Sequence, residues 1–249
     1  MASGRWGLPM YDPRVSGPVR VALVGATGLI GRRVIEIASA GDEVRVLGIA
    51  RREAPLPSGA RVEMFVSEPE KWGDVLDAVR PRALICALGT TWKKAGRDEE
   101  AFRAVDQRLV LATAEAAKRA GVPNMVLVSA AGADAHSKSF YMRVKGETED
   151  ALSRIGFKRL DILHPGLLRG ERVGDLRFAE RAALVAAPLT DLLLSGSWER
   201  YRSVDAGLVA EAALGLALSR AGGRFTHDNE AMRRAARQWR RVGKTGETV

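Results

Sequence analysis

The sequence contains a single cysteine, Cys86, in 249 residues. An internal disulfide and a cysteine-rich metal site are thereby excluded, and the surrounding run ALICALG marks Cys86 as a small buried thiol rather than a reactive one. Histidine is almost as scarce. His136, His164 and His227 fall in three separate segments, and no His, Cys or carboxylate cluster has metal-ligand spacing. Long apolar runs are also missing, since none approaches the ~20 residues of a spanning helix. Residues 1–18 lack the apolar core of a signal peptide, so the expected location is cytoplasmic and no membrane partner is expected. Neither internal repeats nor low-complexity linkers interrupt the chain.

Hydrophobic residues make up 46% and charged residues 28%, which is ordinary globular usage and enough to bury a sizeable core. One α/β domain with an appendage fits this length. The net charge is +9, and the stretch MRRAARQWRR concentrates five arginines beside Trp239. On a helix, Met232, Ala235, Ala236 and Trp239 share one face while most of the arginines take the other, as in a docked terminal helix with a solvated basic side. The remaining basic residues are scattered without a nucleic-acid-binding signature, so no nucleic-acid partner is expected. A basic surface also favours anionic cofactors and substrates.

Strand and helix patterns alternate from residue 19 onward. VRVALVGATGLIG reads as strand, turn and helix, with Ile30, Val34, Ile37 and Ala38 recurring at helical spacing until Gly41. EVRVLGIARR supplies a second strand, RVEMFVS a third before the helix PEKWGDVLDAV, and ALICALG a fourth before a helix from about Asp98 to Ala120. NMVLVSAAG precedes a helix through YMRVKGETEDAL, and LDILHPG is a sixth strand. Such alternation implies parallel pairing and right-handed crossovers: an α/β, Rossmann-like, doubly wound parallel sheet with helices on both faces. Residues 1–18 read as a loosely attached arm, and residues 19–249 as one dinucleotide-binding domain.

In these sheets ligands bind beyond the carboxyl ends of the strands. At the first strand end, Gly25, Gly28 and Gly31 form G-x-x-G-x-x-G, one residue wider than the common fingerprint but resting on the same physics. Glycine allows a tight turn and close approach of a pyrophosphate, whose charge meets free N–H groups at a helix N-terminus. The second strand end offers no acid for a ribose 2′-hydroxyl. It offers Arg51 and Arg52, which suit a 2′-phosphate, as do Arg32 or Arg33 at the helix start, so NADP(H) is preferred over NAD(H). The competing reading is that Arg51 and Arg52 begin a solvated loop.

Tyr141 and Lys145 are one helical turn apart in YMRVKGE and face the same side. A neighbouring ammonium can lower a phenol pKa by roughly 1 to 3 units, which makes tyrosine a usable acid or base near working pH. Ser129, twelve residues upstream at a strand end, is then placed to hold a substrate carbonyl or hydroxyl. An amphipathic helix with a half-buried tyrosine and a solvated lysine would show the same spacing. Their position after the fifth strand of a glycine-triplet domain favours the catalytic reading.

With GATGLIG, ALGTT, VDQRLVLATAEAAKRAGV, LVSAAGADAHSKSFYMRVKGETEDAL and LHPGLLRGER, the chain resembles an atypical short-chain dehydrogenase/reductase and is similar to the Tat-interacting-protein oxidoreductase group. The resemblance covers residues 20 to about 172, with a weaker echo at YRSVDAGLVAEAAL. It implies a catalytic set of Ser129, Tyr141 and Lys145, with Lys145 also bonding the nicotinamide ribose. It implies that Gly25, Thr27, Gly28, Leu29, Ile30 and Gly31 cradle the cofactor and that Ala87, Leu88, Gly89 and Thr90 line it. Pro165, Gly166 and Leu167 would close over the nicotinamide. Three positions depart from the family pattern: Asp106 replaces an asparagine of the proton relay, Ser67 with Glu68 stands where an acid often meets adenine, and His164 replaces an arginine before Pro165. His164 is read as a structural strand-end residue.

Residues 169–202 are expected to form a small helical cap on the substrate side. These features point to an NADP(H)-dependent oxidoreductase acting on a small carbonyl or alcohol, and leave a homo-oligomer open. The alternatives are a dinucleotide-sensing regulatory or assembly protein with little or no turnover and, less favoured because such enzymes usually carry a longer C-terminal domain, an epimerase or dehydratase acting on a nucleotide sugar.

Overall fold

The computed structural model describes residues 17–53, 55–169 and 202–245, with side chains as far as residue 241. The expected N-terminal arm lies outside the described residues except for its last two, and the expected cap lies outside them except for its ends.

The β-branched run Val19–Val24 forms β1, buried over its last four residues, and leads through the glycine turn into α1 (Leu29–Ser39). The strands β2 (Val44–Ala50) and β3 (Val62–Val66) follow, then α2 (Trp72–Val79) and β4 (Ala83–Cys86). Next come α3 (Glu99–Arg103), a π-helical segment (Ala104–Leu109) and α4 (Val110–Arg119), where the periodicity implied one uninterrupted helix. The succession continues with β5 (Asn124–Val128), α5 (Phe140–Ile155) and β6 (Arg159–Leu163). Two short strands, β7 (Leu168–Arg169) and β8 (Val204–Asp205), pair with each other, and α6 (Ala206–Ala217), β9 (Gly223–His227) and α7 (Asn229–Thr245) follow.

Seven strands form one parallel sheet in the order β3-β2-β1-β4-β5-β6-β9, the doubly wound Rossmann-like arrangement. β1 pairs with β2 on one side and β4 on the other, so the winding direction reverses there. Val24 lies opposite both Ile49 and Cys86, which brings three strand ends side by side at the switch point. Both faces are covered, which is why the central strands are apolar in succession rather than in alternation. One apolar layer joins the sheet to α1, α6 and α7, and the other joins it to α2, α4 and α5.

Helix α6 is buried nearly all round because the sheet and α1 take one side and α7 the other. Met232, Ala235, Ala236 and Trp239 are buried, as the spacing implied, and the terminal helix is docked through them. The seventh strand, β9, is an addition to the six that the sequence suggested. Its residues GRFTH are mostly exposed and carry no hydrophobic alternation, so the pattern gave no signal. It is held instead by a buried charged tie. Arg159 chelates Asp161 at 2.6 and 2.8 Å, His227 Nε2 reaches Asp161 Oδ1 at 2.8 Å, and the Phe225 ring centroid lies 4.4 Å from the Arg159 guanidinium.

Candidate functional site

Beyond the carboxyl ends of β1, β4 and β5 lies a cleft of about 440 Å³. Thr27, Gly28, Leu29 and Ile30 line it from the glycine turn, Ala87 to Trp92 from the loop after β4, and Ser129, Tyr141 and Lys145 from β5 and α5. Leu168, Arg32, Lys94 and Asp106 complete much of the wall.

The three glycines divide their work. Gly25 has φ +85°, and a Cβ there would overlap the Ala87 carbonyl; a Cβ at Gly31 would run into the Gly25 carbonyl. These two residues let β1, β4 and α1 approach one another. Gly28 donates its amide to Gly25 O at 3.0 Å and begins α1 without a side-chain cap. The first-turn N–H groups are thus left for a ligand, with the helix dipole favouring an anion. Gly28 with Thr27 at the open face of this cradle fits a dinucleotide pyrophosphate. At the end of β3 the Ser67 hydroxyl is buried without a hydrogen-bond partner, and the Ser67 amide donates to Ala50 O at 3.0 Å.

The arginines at the second strand end are placed differently from one another. Arg51 and Arg52 are exposed and do not line the cleft, and Arg33 turns to Glu36 at 2.6 Å. Arg32 does line it, and its Nη1 reaches across to Pro55 O at 2.7 Å, over the loop that follows β2.

On α5, Tyr141 and Lys145 face the same cleft as the glycine turn, with the lysine Nζ 5.9 Å from the tyrosine ring centroid. Phe102 packs against the Tyr141 ring at 5.5 Å, and Trp92, which also lines the cleft, packs against Phe140 at 5.2 Å. A Cβ on Gly146 would overlap the Ala135 amide, so only glycine lets the loop after β5 lie this close to α5. Lys145 is buried and pairs with Asp106 Oδ1 at 2.7 Å, while Asp106 Oδ2 accepts the Thr90 amide at 2.7 Å. Burial opposes the charge on Lys145, but the Asp106 carboxylate, with a smaller contribution from Tyr141, outweighs it and leaves the pKa above its ordinary value. Burial also pushes the Cys86 thiol up to about 11, in keeping with an unreactive core residue.

Ser129 donates its hydroxyl proton to Glu149, and the same carboxylate takes His164 Nε2 at 2.9 and 3.0 Å. Sequence reasoning missed Glu149, because a glutamate on a helix reads as a solvated residue; its only signal was the four-residue step from Lys145. The segment after β6 contributes Leu168 to the cleft. Pro165 accepts the Ala131 amide, Gly166 donates to Asn229, and Leu167 is 64% exposed, so these three stand beside the wall rather than in it.

Fold and cleft together define a Rossmann-like protein shaped for a dinucleotide. The sequence profile of a family described as NAD(P)H-binding matches residues 25–185. "Protein FMP52, mitochondrial" of Candida albicans is 32% identical over 202 residues, covering 78% of this chain and 86% of that protein. The FMP52 protein of Saccharomyces cerevisiae is 36% identical over 168 residues, covering 66% and 72%. The chain belongs to this NAD(P)H-binding family, as an atypical short-chain dehydrogenase/reductase-like member alongside the FMP52 proteins. Among solved structures, UDP-glucose 4-epimerase of Thermotoga maritima superposes with a TM-score of 0.65 at 14% identity, covering 92% of this chain and 84% of that one. The Thermus thermophilus epimerase in complex with NAD gives 0.61 at 23%, covering 91% and 84%. At these identities the likeness is one of fold. The expectation of a cytoplasmic location is corrected by the relatives, which are named mitochondrial. Lack of a recognisable apolar leader was the basis of that expectation, and it does not discriminate between these compartments. Among the described residues no helix is long and apolar enough to cross a membrane.

Proposed function

We propose that the protein is an NADP(H)-dependent oxidoreductase that moves a hydride to or from a small carbonyl or alcohol. The observation that carries this reading is the meeting of Tyr141 and Lys145 with the uncapped start of α1 in one cleft. The dinucleotide, bound along Thr27 to Ile30 and Ala87 to Thr90, supplies or takes the hydride. Tyr141 gives or takes the proton at the reacting oxygen, and Lys145, kept cationic by Asp106, binds the nicotinamide ribose. Ser129, which lines the same cleft, stands ready to contact the reacting oxygen.

Preference for NADP(H) is supported by Arg32, a guanidinium already lining the cleft and extended over the loop after β2, with Arg51 and Arg52 close in sequence to the same strand end. The mitochondrial names of the relatives support a mitochondrial location for this protein as well.

The test is a panel of aldehydes, ketones and quinones with NADPH, run on the native protein and on Tyr141→Phe. Turnover is expected to fall at least about 100-fold in the variant while NADPH binding, followed by fluorescence, is retained. Binding without turnover by the native protein would instead favour the sensor reading. Turnover that survives Tyr141→Phe unchanged would remove Tyr141 from the mechanism.

A further inference from the structure

Aromatic residues are only 6% of the chain, yet four of them gather beside the cleft. Phe102 is the buried centre of the group, its ring centroid 5.5 Å from that of Tyr141, 5.7 Å from Phe140 and 6.2 Å from Trp92. Phe140 is held in turn by the guanidinium groups of Arg103 and Arg143, 5.5 and 5.8 Å from its centroid. Trp92 leans on both phenylalanines and is still 37% exposed, and its backbone is fixed by a tight turn in which Arg97 donates its amide to Trp92 O at 2.9 Å. Core packing therefore leaves part of this indole open, and it lines the cleft together with Tyr141. In the reading above the dinucleotide lies along Ala87 to Thr90, and Trp92 follows that stretch on the Tyr141 side. Because Phe102 touches both, the two cleft-lining rings stand no more than two ring spacings apart, a gap that one further ring bearing a carbonyl can bridge.

Resting on the oxidoreductase reading, we propose that Trp92 is a specificity-determining residue and that the substrate is an aryl ketone or aryl aldehyde, whose flat ring packs on the indole while its carbonyl oxygen meets Tyr141. Aromatic pairs gain attraction beyond the apolar area they bury, which a saturated ring of the same size cannot match. An indole already held by Phe102 and Phe140 gives that contact at little ordering cost. Reduction leaves the substrate ring untouched: a hydride from NADPH joins the carbonyl carbon, the Tyr141 proton joins the oxygen, and the products are the benzylic alcohol and NADP⁺.

The experiment uses the full chain and two probes, acetophenone and cyclohexyl methyl ketone, which have the same carbon count and differ in the flatness and π-electrons of the ring. Trp92→Leu is expected to lower kcat/KM for reduction of acetophenone with NADPH by about three- to tenfold, the worth of one ring-on-ring contact, and for the cyclohexyl ketone by less than about twofold. Comparing variant with native for each ketone cancels that ketone's intrinsic reactivity. Trp92→Phe, which keeps a ring, should retain at least about half of the native value for acetophenone, and NADPH affinity should stay within about twofold of native in both variants. A readout free of turnover is ketone binding to the protein loaded with NADP⁺, which has no hydride to deliver, followed by NMR titration: the Kd of acetophenone should rise in Trp92→Leu by the same factor as kcat/KM falls. Equal losses for the two ketones, or no loss for acetophenone, overturn the proposal, as does native protein that binds no acetophenone. NADPH weakened as much as acetophenone also overturns it, because Trp92 would then be a cofactor contact. If the native protein binds acetophenone through Trp92 and reduces neither ketone, the aromatic subsite stands and the oxidoreductase reading falls. Reduction of both ketones with the indole immaterial gives the reverse.

Discussion

Asp106 and Arg32 show how much a single residue can carry at this site. Asp106 is fully buried and holds Lys145 with one oxygen and the Thr90 amide with the other. Where the family pattern has an asparagine, the carboxylate gives Lys145 a direct ionic partner. Asp106→Ala should cost ~3–5 kcal/mol in urea unfolding, because it strands a buried ammonium. Asp106→Asn keeps an acceptor for Thr90 and should cost roughly half as much or less. Equal losses would show that the charge is irrelevant. At the other end of the cleft, Arg32→Ala is expected to weaken NADPH at least about tenfold and NADH by less than about twofold. Arg51→Ala and Arg52→Ala, at exposed positions outside the cleft wall, should act more weakly. Equal weakening of both dinucleotides in fluorescence titrations would undo the 2′-phosphate assignment.

The element that decides the chemistry is α5, since it supplies Tyr141, Lys145 and Glu149 at successive turns. It is pinned at several points. Gly146 seats the loop after β5, Phe102 backs the Tyr141 ring, and Glu147 binds Arg103 of α3 at 2.6 Å. The Arg103 hydrogen bond holds the Glu147 carboxyl below the usual carboxylate range, with Gln107 adding a second donor. A lowered folded-state pKa means that this stabilisation is present above the unfolded-state pKa and disappears as pH falls through the folded value. The stability gap between native protein and Glu147→Gln should therefore be constant near neutrality and close in the acid range. A gap that stays constant down to pH 3 would show that the pair does not stabilise the fold.

For the whole molecule, the added strand β9 matters because it extends the sheet beyond β6 and leads into α7, which covers α6. The Arg159–Asp161–His227 tie is what fastens it. Asp161→Ala leaves Arg159 buried without its carboxylate and should cost ~3–5 kcal/mol, with faster hydrogen exchange at residues 223–227. Exchange that stays slow there would show that the backbone ladder alone retains the strand.

The sequence by itself determined the alternation of strands and helices, the glycine turn after β1, and the pairing of Tyr141 with Lys145 on one helical face. All of these are written in near-neighbour spacing, which the periods of helix and strand translate directly into geometry. Only the tertiary structure decided that Arg32 rather than Arg51 or Arg52 enters the cleft, that Glu149 joins Ser129 to His164, and that GRFTH becomes a strand. Each of those depends on strand order and register bringing distant segments together, and no local pattern encodes such a meeting.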